Sequence, residues 1–136
     1  TIQAQYLRLL KDLQRQSNLG ILFITHDLGV AAKICDRVAV MYCGQILEEA
    51  NVEDLFDKPA HPYTRGLIGS LPQLHTRVEH LSSIPGQPPT PANLPPGCPF
   101  EPRCSEAKPI CKSKIPPEVK LSHNHRVSCW LHSEDD

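Results

Sequence analysis

The sequence predicts an α/β fold followed by a small, irregular extension that is rich in cysteine and proline. Residues 21–24 are four large apolar side chains in succession, as in a strand buried on both faces of a parallel sheet, and segments with helical spacing flank them. Eleven of the 14 prolines lie between Pro85 and Pro117, and four of the six cysteines lie between Cys98 and Cys129. The two halves of the chain therefore differ in composition and in residue spacing, and only the first is periodic and apolar.

The first half begins with a predicted amphipathic helix, followed by the buried strand and a short second helix. Asn18 and Gly20 are the stop signals of the first helix, and residues 21–25 form the strand. Asp27 is placed to cap the second helix, which reaches Cys35. The apolar side chains of the first helix recur at three- and four-residue steps, at Ile2, Tyr6, Leu9, Leu10 and Leu13.

A second apolar run, at residues 37–42, predicts another strand, and a turn at residues 43–45 leads to its partner at residues 46–49. Asn51 can cap a brief helix that ends at Phe56. His61-Pro62 begins a further helix, with proline at its first position, which ends near Leu71-Pro72.

These elements look like the tail of an α/β domain, because two strands do not make a stable parallel sheet. We expect further strands before Thr1, in a longer protein of which this chain is a piece. Without those neighbours, residues 21–24 should be only marginally stable as a strand.

Composition divides the chain into three predicted parts. Residues 1–81 hold the α/β elements, residues 82–97 form a proline-rich linker, and residues 98–136 form a four-cysteine extension. The linker lacks a helical or strand period, and its rare apolar residues Ile84 and Leu94 could dock it against the domain.

The charge of the chain indicates no nucleic-acid partner, since the net charge is −1 and the calculated isoelectric point is about 6.6. No apolar run approaches the roughly 20 residues that span a bilayer. No secretory signal pattern is present. We therefore expect any connection with a membrane to run through a partner.

The triplet Thr25-His26-Asp27 follows the predicted buried strand, where open α/β sheets keep their ligand sites. A histidine there can orient a nucleophile, bind a metal or donate to a phosphate. Asp27 does not form a dyad with His26, because adjacent strand residues point to opposite faces. Taken alone, the residues favour a capping or core histidine.

The cysteines Cys98, Cys104, Cys111 and Cys129 leave several interpretations open. Disulfides are disfavoured if the domain faces the cytosol. Structural zinc prefers a tighter Cys-x2–4-Cys spacing, whereas a four-thiolate iron–sulfur cluster tolerates longer, uneven loops. Four unligated buried thiols are the remaining alternative, but a proline-rich tail with little core favours a staple. His123 and His125 could replace a thiolate in a zinc site, although solvated loop positions suffice to explain them.

Residues 21–28, with residues 35–48, closely resemble the closing part of the nucleotide-binding domain of ATP-binding-cassette transporters. The resemblance implies that His26 is the switch histidine, which reaches the γ-phosphate of ATP held with Mg²⁺. An imidazole N–H there stabilises charge on the transferring phosphoryl group. The phosphate-binding loop, the signature element and the Walker B carboxylates are absent from these 136 residues. The implied ATPase activity therefore belongs to a full-length subunit, and we predict that this fragment alone is inactive.

The block His61-Pro62-Tyr63-Thr64 and the cysteine tail resemble the branch that imports dipeptides and oligopeptides, which also includes some nickel importers. By that resemblance, Cys98, Cys104, Cys111 and Cys129 hold a [4Fe–4S] cluster, with zinc as the alternative, and Cys35 and Cys43 are ordinary buried or turn residues. The implied partners are a second ATPase subunit, two transmembrane permease subunits and an extracytoplasmic peptide-binding protein. The implied location is peripheral, at the cytoplasmic face of the plasma (inner) membrane. The alternative function is a non-enzymatic metal-binding regulatory or interaction module.

Overall fold

The structure is a computed structural model that describes residues 2–71 and 84–134, and it divides into two compact units, Thr1–Asp36 and Arg37–Asp136. The first unit contains two helices, α1 (Ile2–Ser17) and α2 (Leu28–Ile34). Helix α1 ends where Asn18 adopts a left-handed backbone with φ 48°. The carboxylate of Asp27 accepts a hydrogen bond from the Val30 N–H at 3.0 Å and caps α2. Both predicted helices and the predicted cap are confirmed.

The predicted buried strand at residues 21–25 is wrong for this structure. These residues form neither helix nor strand, and Leu22 and Ile24 are each 89% exposed. A strand needs a neighbour for its backbone hydrogen bonds and cover for its side chains, and no strand within the described residues pairs with this segment. The expected parallel sheet is likewise not seen in the described part of the chain.

The second unit begins with an antiparallel hairpin of β1 (Arg37–Tyr42) and β2 (Gln45–Asn51), as predicted. Its turn residues Cys43 and Gly44 both have positive φ, 48° and 79°, which is the backbone of a type I′ turn. The register shifts after Val40, which pairs with Glu48, so Leu47 has no partner on β1 and forms a bulge.

A second hairpin, β3 (Glu118–Ser122) and β4 (His125–Ser128), joins the first in one four-stranded antiparallel sheet of order β1-β2-β4-β3. Strand β4 pairs with β2, with Glu48 opposite Val127 and Ala50 opposite His125. The extension was predicted to be irregular, and this hairpin is a correction to that prediction. The cysteine-rich tail, whose hairpin begins at Glu118, therefore extends a sheet that begins at Arg37.

Helices α3 (Val52–Asp57) and α4 (Pro62–Gly69) follow the first hairpin. Asn51 stands at the N-cap of α3 as predicted, but its side chain makes no capping hydrogen bond. Helix α4 begins as predicted, with His61 at the N-cap and Pro62 in its first turn. It ends slightly earlier than predicted, and Pro72 lies outside the described residues. Three short 3₁₀ helices complete the unit, at Pro91–Asn93, Glu101–Arg103 and Pro109–Lys112.

The core of the second unit is built from both ends of the sequence. Phe100 and Trp130 of the tail are buried with Tyr42 and Leu47 of the first hairpin. Fully burying such a side chain contributes roughly 1.5–3 kcal/mol, so the tail supplies substantial apolar packing. Two smaller clusters adjoin it: Val40, Ala50 and Leu55 in one, and Ala60, Val127 and Cys129 in the other.

Ile84, near the start of the linker, docks it against the second unit, as the sequence suggested. Ile84 packs against the main cluster and lies so close to α4 that a Cβ on Gly66 would come within 2.7 Å of it. The guanidinium of Arg103 donates to the carbonyl oxygens of Pro85 at 2.9 Å and Ile84 at 3.1 Å. Leu94 remains 44% exposed.

Among the helices of the described residues, none combines the length and the apolar character needed to cross a membrane.

Candidate functional sites

His26 lies in the segment between α1 and α2, next to the helix cap, and its side chain is exposed. The local structure is organised by its neighbours: the Asp27 N–H donates to Thr25 Oγ1 at 3.0 Å, and the Asp27 carboxylate is engaged in capping α2. The carboxylate is thus directed to the helix rather than to the imidazole. His26 presents a free side chain beside a fixed helix start, and its catalytic role stays a prediction.

The four predicted ligand cysteines all lie in the second unit: Cys111 lies in the 3₁₀ helix Pro109–Lys112, and the other three lie outside the helices and strands. Cys98, Cys111 and Cys129 are buried and Cys104 is half-buried. Cys98 and Cys111 belong to the main core cluster, against which Cys104 packs, whereas Cys129 lies in a neighbouring cluster. The six cysteines of the chain are free thiols, and Cys43 occupies the β1–β2 turn as expected.

A direct backbone contact fixes two of the cysteine loops. The Cys98 N–H donates to the Cys111 carbonyl oxygen at 2.8 Å. A Cβ on Gly97 would lie 2.1 Å from that same oxygen, so the close approach requires glycine at this position.

The thiols influence one another electrostatically. Burial raises the pKa of Cys98, Cys104 and Cys129, to about 11 for Cys129. The thiols of Cys98, Cys104 and Cys111 raise the pKa of Cys129 further, because four adjacent thiolates would repel one another. Ionising the whole set therefore needs a compensating positive charge, such as that of a bound metal.

Backbone N–H groups oppose this effect at three of the cysteines. Hydrogen bonds from the backbone of Phe100 and Glu101 lower the pKa of Cys98, one from Glu106 lowers that of Cys104, and one from Leu131 lowers that of Cys129. Such bonds stabilise negative charge on sulfur, as around thiolate ligands in metal centres. Within residues 2–71 and 84–134, however, no group of three or more His, Cys, Asp or Glu side chains is arranged to hold a metal ion.

Sequence reasoning missed a buried carboxylate at the centre of the second unit. The side chain of Glu48 is fully buried and accepts hydrogen bonds from the Ala60 N–H at 2.7 Å and the His61 N–H at 2.8 Å. It also contacts His125 Nε2 at 2.7 Å. Glu48 thus links β2, the start of α4 and β4. The signal available was its place on the inward-facing side of a strand, beside the apolar Leu47 and Ala50.

His61 caps α4 by accepting a hydrogen bond from the Tyr63 N–H on Nδ1 at 3.0 Å. Burial lowers the pKa of His61 to about 4, so its ring is neutral at pH 7 and the proton resides on Nε2. Nε2 and the Thr64 hydroxyl are buried and have no hydrogen-bond partner in the part of the chain that the structure describes. Tyr63 packs on Tyr42, with ring centroids 4.7 Å apart.

The candidate zinc ligands His123 and His125 have different environments. His125 is buried and its Nε2 is committed to Glu48, whereas His123 is exposed at the turn between β3 and β4. His125 is therefore a structural residue of the sheet, with its Nε2 engaged.

Comparison with known proteins identifies the class to which these features belong. Residues 47–111 match the family described as the oligopeptide/dipeptide transporter, C-terminal region. This match covers Glu48, the capping histidine His61 and three of the four cysteines of the tail. The chain is homologous to the C-terminal part of the ATP-binding proteins of this transporter family.

Individual relatives extend the similarity to nearly the whole chain. The oligopeptide transport ATP-binding protein AppD of Bacillus subtilis is 50% identical over 135 residues, which is 99% of this chain and 41% of that protein. The dipeptide transport ATP-binding protein DppD of the same organism is 46% identical over 134 residues, covering 98% of this chain and 40% of that protein. The oligopeptide transport ATP-binding protein OppD of Haemophilus influenzae is 46% identical over 134 residues, covering 98% of this chain and 41% of that protein. The chain spans about two-fifths of the length of these relatives.

Proposed function

We propose that the chain is the C-terminal part of the ATP-hydrolysing, energy-coupling subunit of a peptide importer. The observation that carries this proposal is the match of residues 47–111, within which the buried Glu48 and His61 join the hairpin to α4. The similarity to ATP-binding proteins over nearly the whole chain supports it. In functional terms, residues 1–81 belong to the nucleotide-binding domain, and residues 82–97 connect it with the four-cysteine extension at residues 98–136.

In the whole subunit, His26 contacts the γ-phosphate of ATP that is bound with Mg²⁺ elsewhere in the domain. An imidazole N–H at this position stabilises the negative charge of the transferring phosphoryl group and orients the attacking water. The exposed side chain of His26, beside a helix start held by Asp27, is compatible with this task. The fragment alone lacks the phosphate-binding elements and is inactive.

The partners in this proposal are a second ATPase subunit, two transmembrane permease subunits and an extracytoplasmic peptide-binding protein. Closure of the ATPase pair on ATP and its reopening after hydrolysis bias the permease between two states. The subunit is peripheral and lies at the cytoplasmic face of the plasma (inner) membrane.

Two experiments test this function: reading the upstream coding sequence and measuring peptide uptake. The coding sequence upstream of Thr1 should contain, in frame, a Gly-Lys-Ser/Thr phosphate loop and a Leu-Ser-Gly-Gly-Gln element. Deleting the gene should abolish uptake of a labelled dipeptide or oligopeptide, and the intact gene should restore it. A start codon directly before Thr1, with peptide uptake unchanged in the deletion strain, would contradict the proposal and favour a non-enzymatic module.

We further propose that Cys98, Cys104, Cys111 and Cys129 ligate a [4Fe–4S] cluster, with zinc as the alternative. The mutual influence of the thiols and the backbone hydrogen bonds to three of their sulfurs support a thiolate-bound centre. The group when bound would supply a covalent staple of the tail, since the four residues lie on separate segments of it.

Metal analysis of anaerobically purified protein tests the cluster. Iron and sulfide in equal amounts, with broad absorption near 400 nm, are expected for the wild type and lost in Cys104→Ser. Cys43→Ser is the matched control, because Cys43 is also half-buried but lies in the β1–β2 turn. One equivalent of zinc without iron or sulfide would refute the cluster and leave the zinc site.

A further inference from the structure

The face of the sheet that points away from the core carries a row of positively and negatively charged side chains. Side chains alternate between the two faces of a strand, so those of Val40, Ala50 and Val127 point to the core and their neighbours point outward. The outward side chains include one charged residue or more on each of the four strands: Arg37, Glu49, Arg126, Glu118 and Lys120.

The two arginines on this face are held by the two carboxylates. Arg37 pairs with Glu49 Oε1, and Arg126 Nη2 pairs with Glu49 Oε2 at 3.0 Å. Arg126 Nη1 reaches Glu118 Oε1 at 3.4 Å. A carboxylate at each side fixes the plane of the Arg126 guanidinium, so this group is pre-oriented rather than free.

Lys120 adds a cation for which the sheet supplies no carboxylate. It lies directly opposite Arg126 in the β3–β4 pairing, and like charges in this position destabilise a sheet. In the described part of the chain, Lys120 forms no ion pair. Three cations therefore face two carboxylates, and the excess positive charge is concentrated at β3 and β4.

This excess charge lines a pocket of about 280 Å³. The turn between β3 and β4 contributes a ring nitrogen from His123 and a side-chain amide from Asn124, both of which can donate to an anion. The lining residues are Arg37, Glu118, Lys120, His123, Asn124 and Arg126.

We propose that this pocket binds a phosphate-bearing anion, with Lys120 and Arg126 as its principal contacts. A phosphate group carries close to two negative charges and three strong acceptor oxygens, so it can accept from an ammonium, a guanidinium and an amide together. It removes the Lys120–Arg126 repulsion that the sheet otherwise bears. The lining residues include neither His26 nor any of the four cysteines, and the site does not depend on the proposed transport function.

Titration of the chain with inorganic phosphate at constant ionic strength tests the pocket, with binding followed by calorimetry and by the NMR signals of His123. Lys120→Glu should weaken binding at least about tenfold, the effect of losing one charge-assisted contact. Lys58→Glu is the matched control, since Lys58 is also exposed and does not line the pocket, and it should change binding less than about twofold. Unchanged circular dichroism in both variants establishes that the fold is kept.

Vesicles distinguish the two sources of such a phosphate. If phosphatidylglycerol vesicles sediment the wild type but not Lys120→Glu, and phosphatidylcholine vesicles sediment neither, the ligand is a lipid headgroup. If inorganic phosphate binds and vesicles do not, the ligand is a free phosphate compound. No saturable phosphate binding by the wild type, or an equal loss in Lys120→Glu and Lys58→Glu, would overturn the proposal.

Discussion

Glu48 and His125 are 77 residues apart in the sequence, yet their side chains meet at 2.7 Å in the buried centre of the second unit. The same carboxylate caps the start of α4 through the N–H groups of Ala60 and His61. Carboxylates are favourable at helix N-termini, and here one group also anchors the tail hairpin. The contact explains how a cysteine-rich tail becomes part of the sheet.

Replacing this carboxylate should destabilise the second unit markedly. Glu48→Gln is expected to lower the free energy of unfolding by about 2–4 kcal/mol, because it leaves buried donors and His125 without their charged partner. Chemical denaturation measures the effect. Glu134→Gln makes the same change on an exposed side chain and should alter stability by less than about 0.5 kcal/mol. Equal stability of the two variants would show that the buried contact contributes little.

The stability of the chain should depend on pH through His61. Its folded pKa of about 4 lies below the ordinary 6.5, so the unfolded state binds the proton more tightly. The contribution of neutral His61 to the free energy of unfolding is complete above pH 6.5. It decreases as the pH falls from 6.5 towards 4, by about 3 kcal/mol in all. Denaturation at a series of pH values measures this slope.

His61→Asn isolates the contribution of this histidine, because asparagine can still cap α4 but does not titrate in that range. Between pH 4 and 6.5, the free energy of unfolding should depend less steeply on pH. The decrease in slope should correspond to at most one bound proton. An unaltered slope would mean that another group is responsible.

Gly97 should not tolerate a side chain. Gly97→Ala places a methyl group 2.1 Å from the Cys111 carbonyl oxygen, so the Cys98–Cys111 contact must open. We expect a loss of about 2–3 kcal/mol on denaturation. Gly69→Ala is the control: among the residues that the structure describes, no atom lies within 4 Å of a Cβ there, and alanine favours the helix in which it lies. A Gly97→Ala variant as stable as Gly69→Ala would contradict the described loop geometry.

The docking of the linker predicts a compensating pair of substitutions. Gly66→Ala should destabilise because its Cβ would lie 2.7 Å from Ile84, and Ile84→Ala should relieve that contact. In a double-mutant cycle the cost of Gly66→Ala should therefore shrink when Ile84 is shortened. A cost independent of residue 84 would show that this end of the linker is not packed on α4.

Local signals in the sequence predicted much of the fold. The helix stop at Asn18, the cap at Asp27 and the His61-Pro62 helix start are encoded by neighbouring residues, so periodicity and capping chemistry suffice to find them. The β1–β2 hairpin follows from its turn residues in the same way. These predictions need no knowledge of distant contacts.

The remaining features depend on distant contacts. Strand β3 carries exposed charged residues and β4 is only four residues long, so β4 forms through pairing with β2, and β3 forms through pairing with β4. In the sequence, Glu48 is typical of a surface residue. Only the folded structure places His125 and the start of α4 beside it. The prediction for residues 21–25 failed for a related reason, because an apolar run becomes a strand only where a partner strand is present.

The rate of ATP hydrolysis by the full-length subunit carrying His26→Ala tests the central claim most directly. Loss of the γ-phosphate contact should reduce turnover at least about 100-fold, the effect of removing one donor at a developing charge, while nucleotide binding is retained. Lys58→Ala removes an exposed side chain of the other unit that does not line the proposed anion pocket, and it should leave turnover unchanged. Wild-type turnover in His26→Ala would contradict the account.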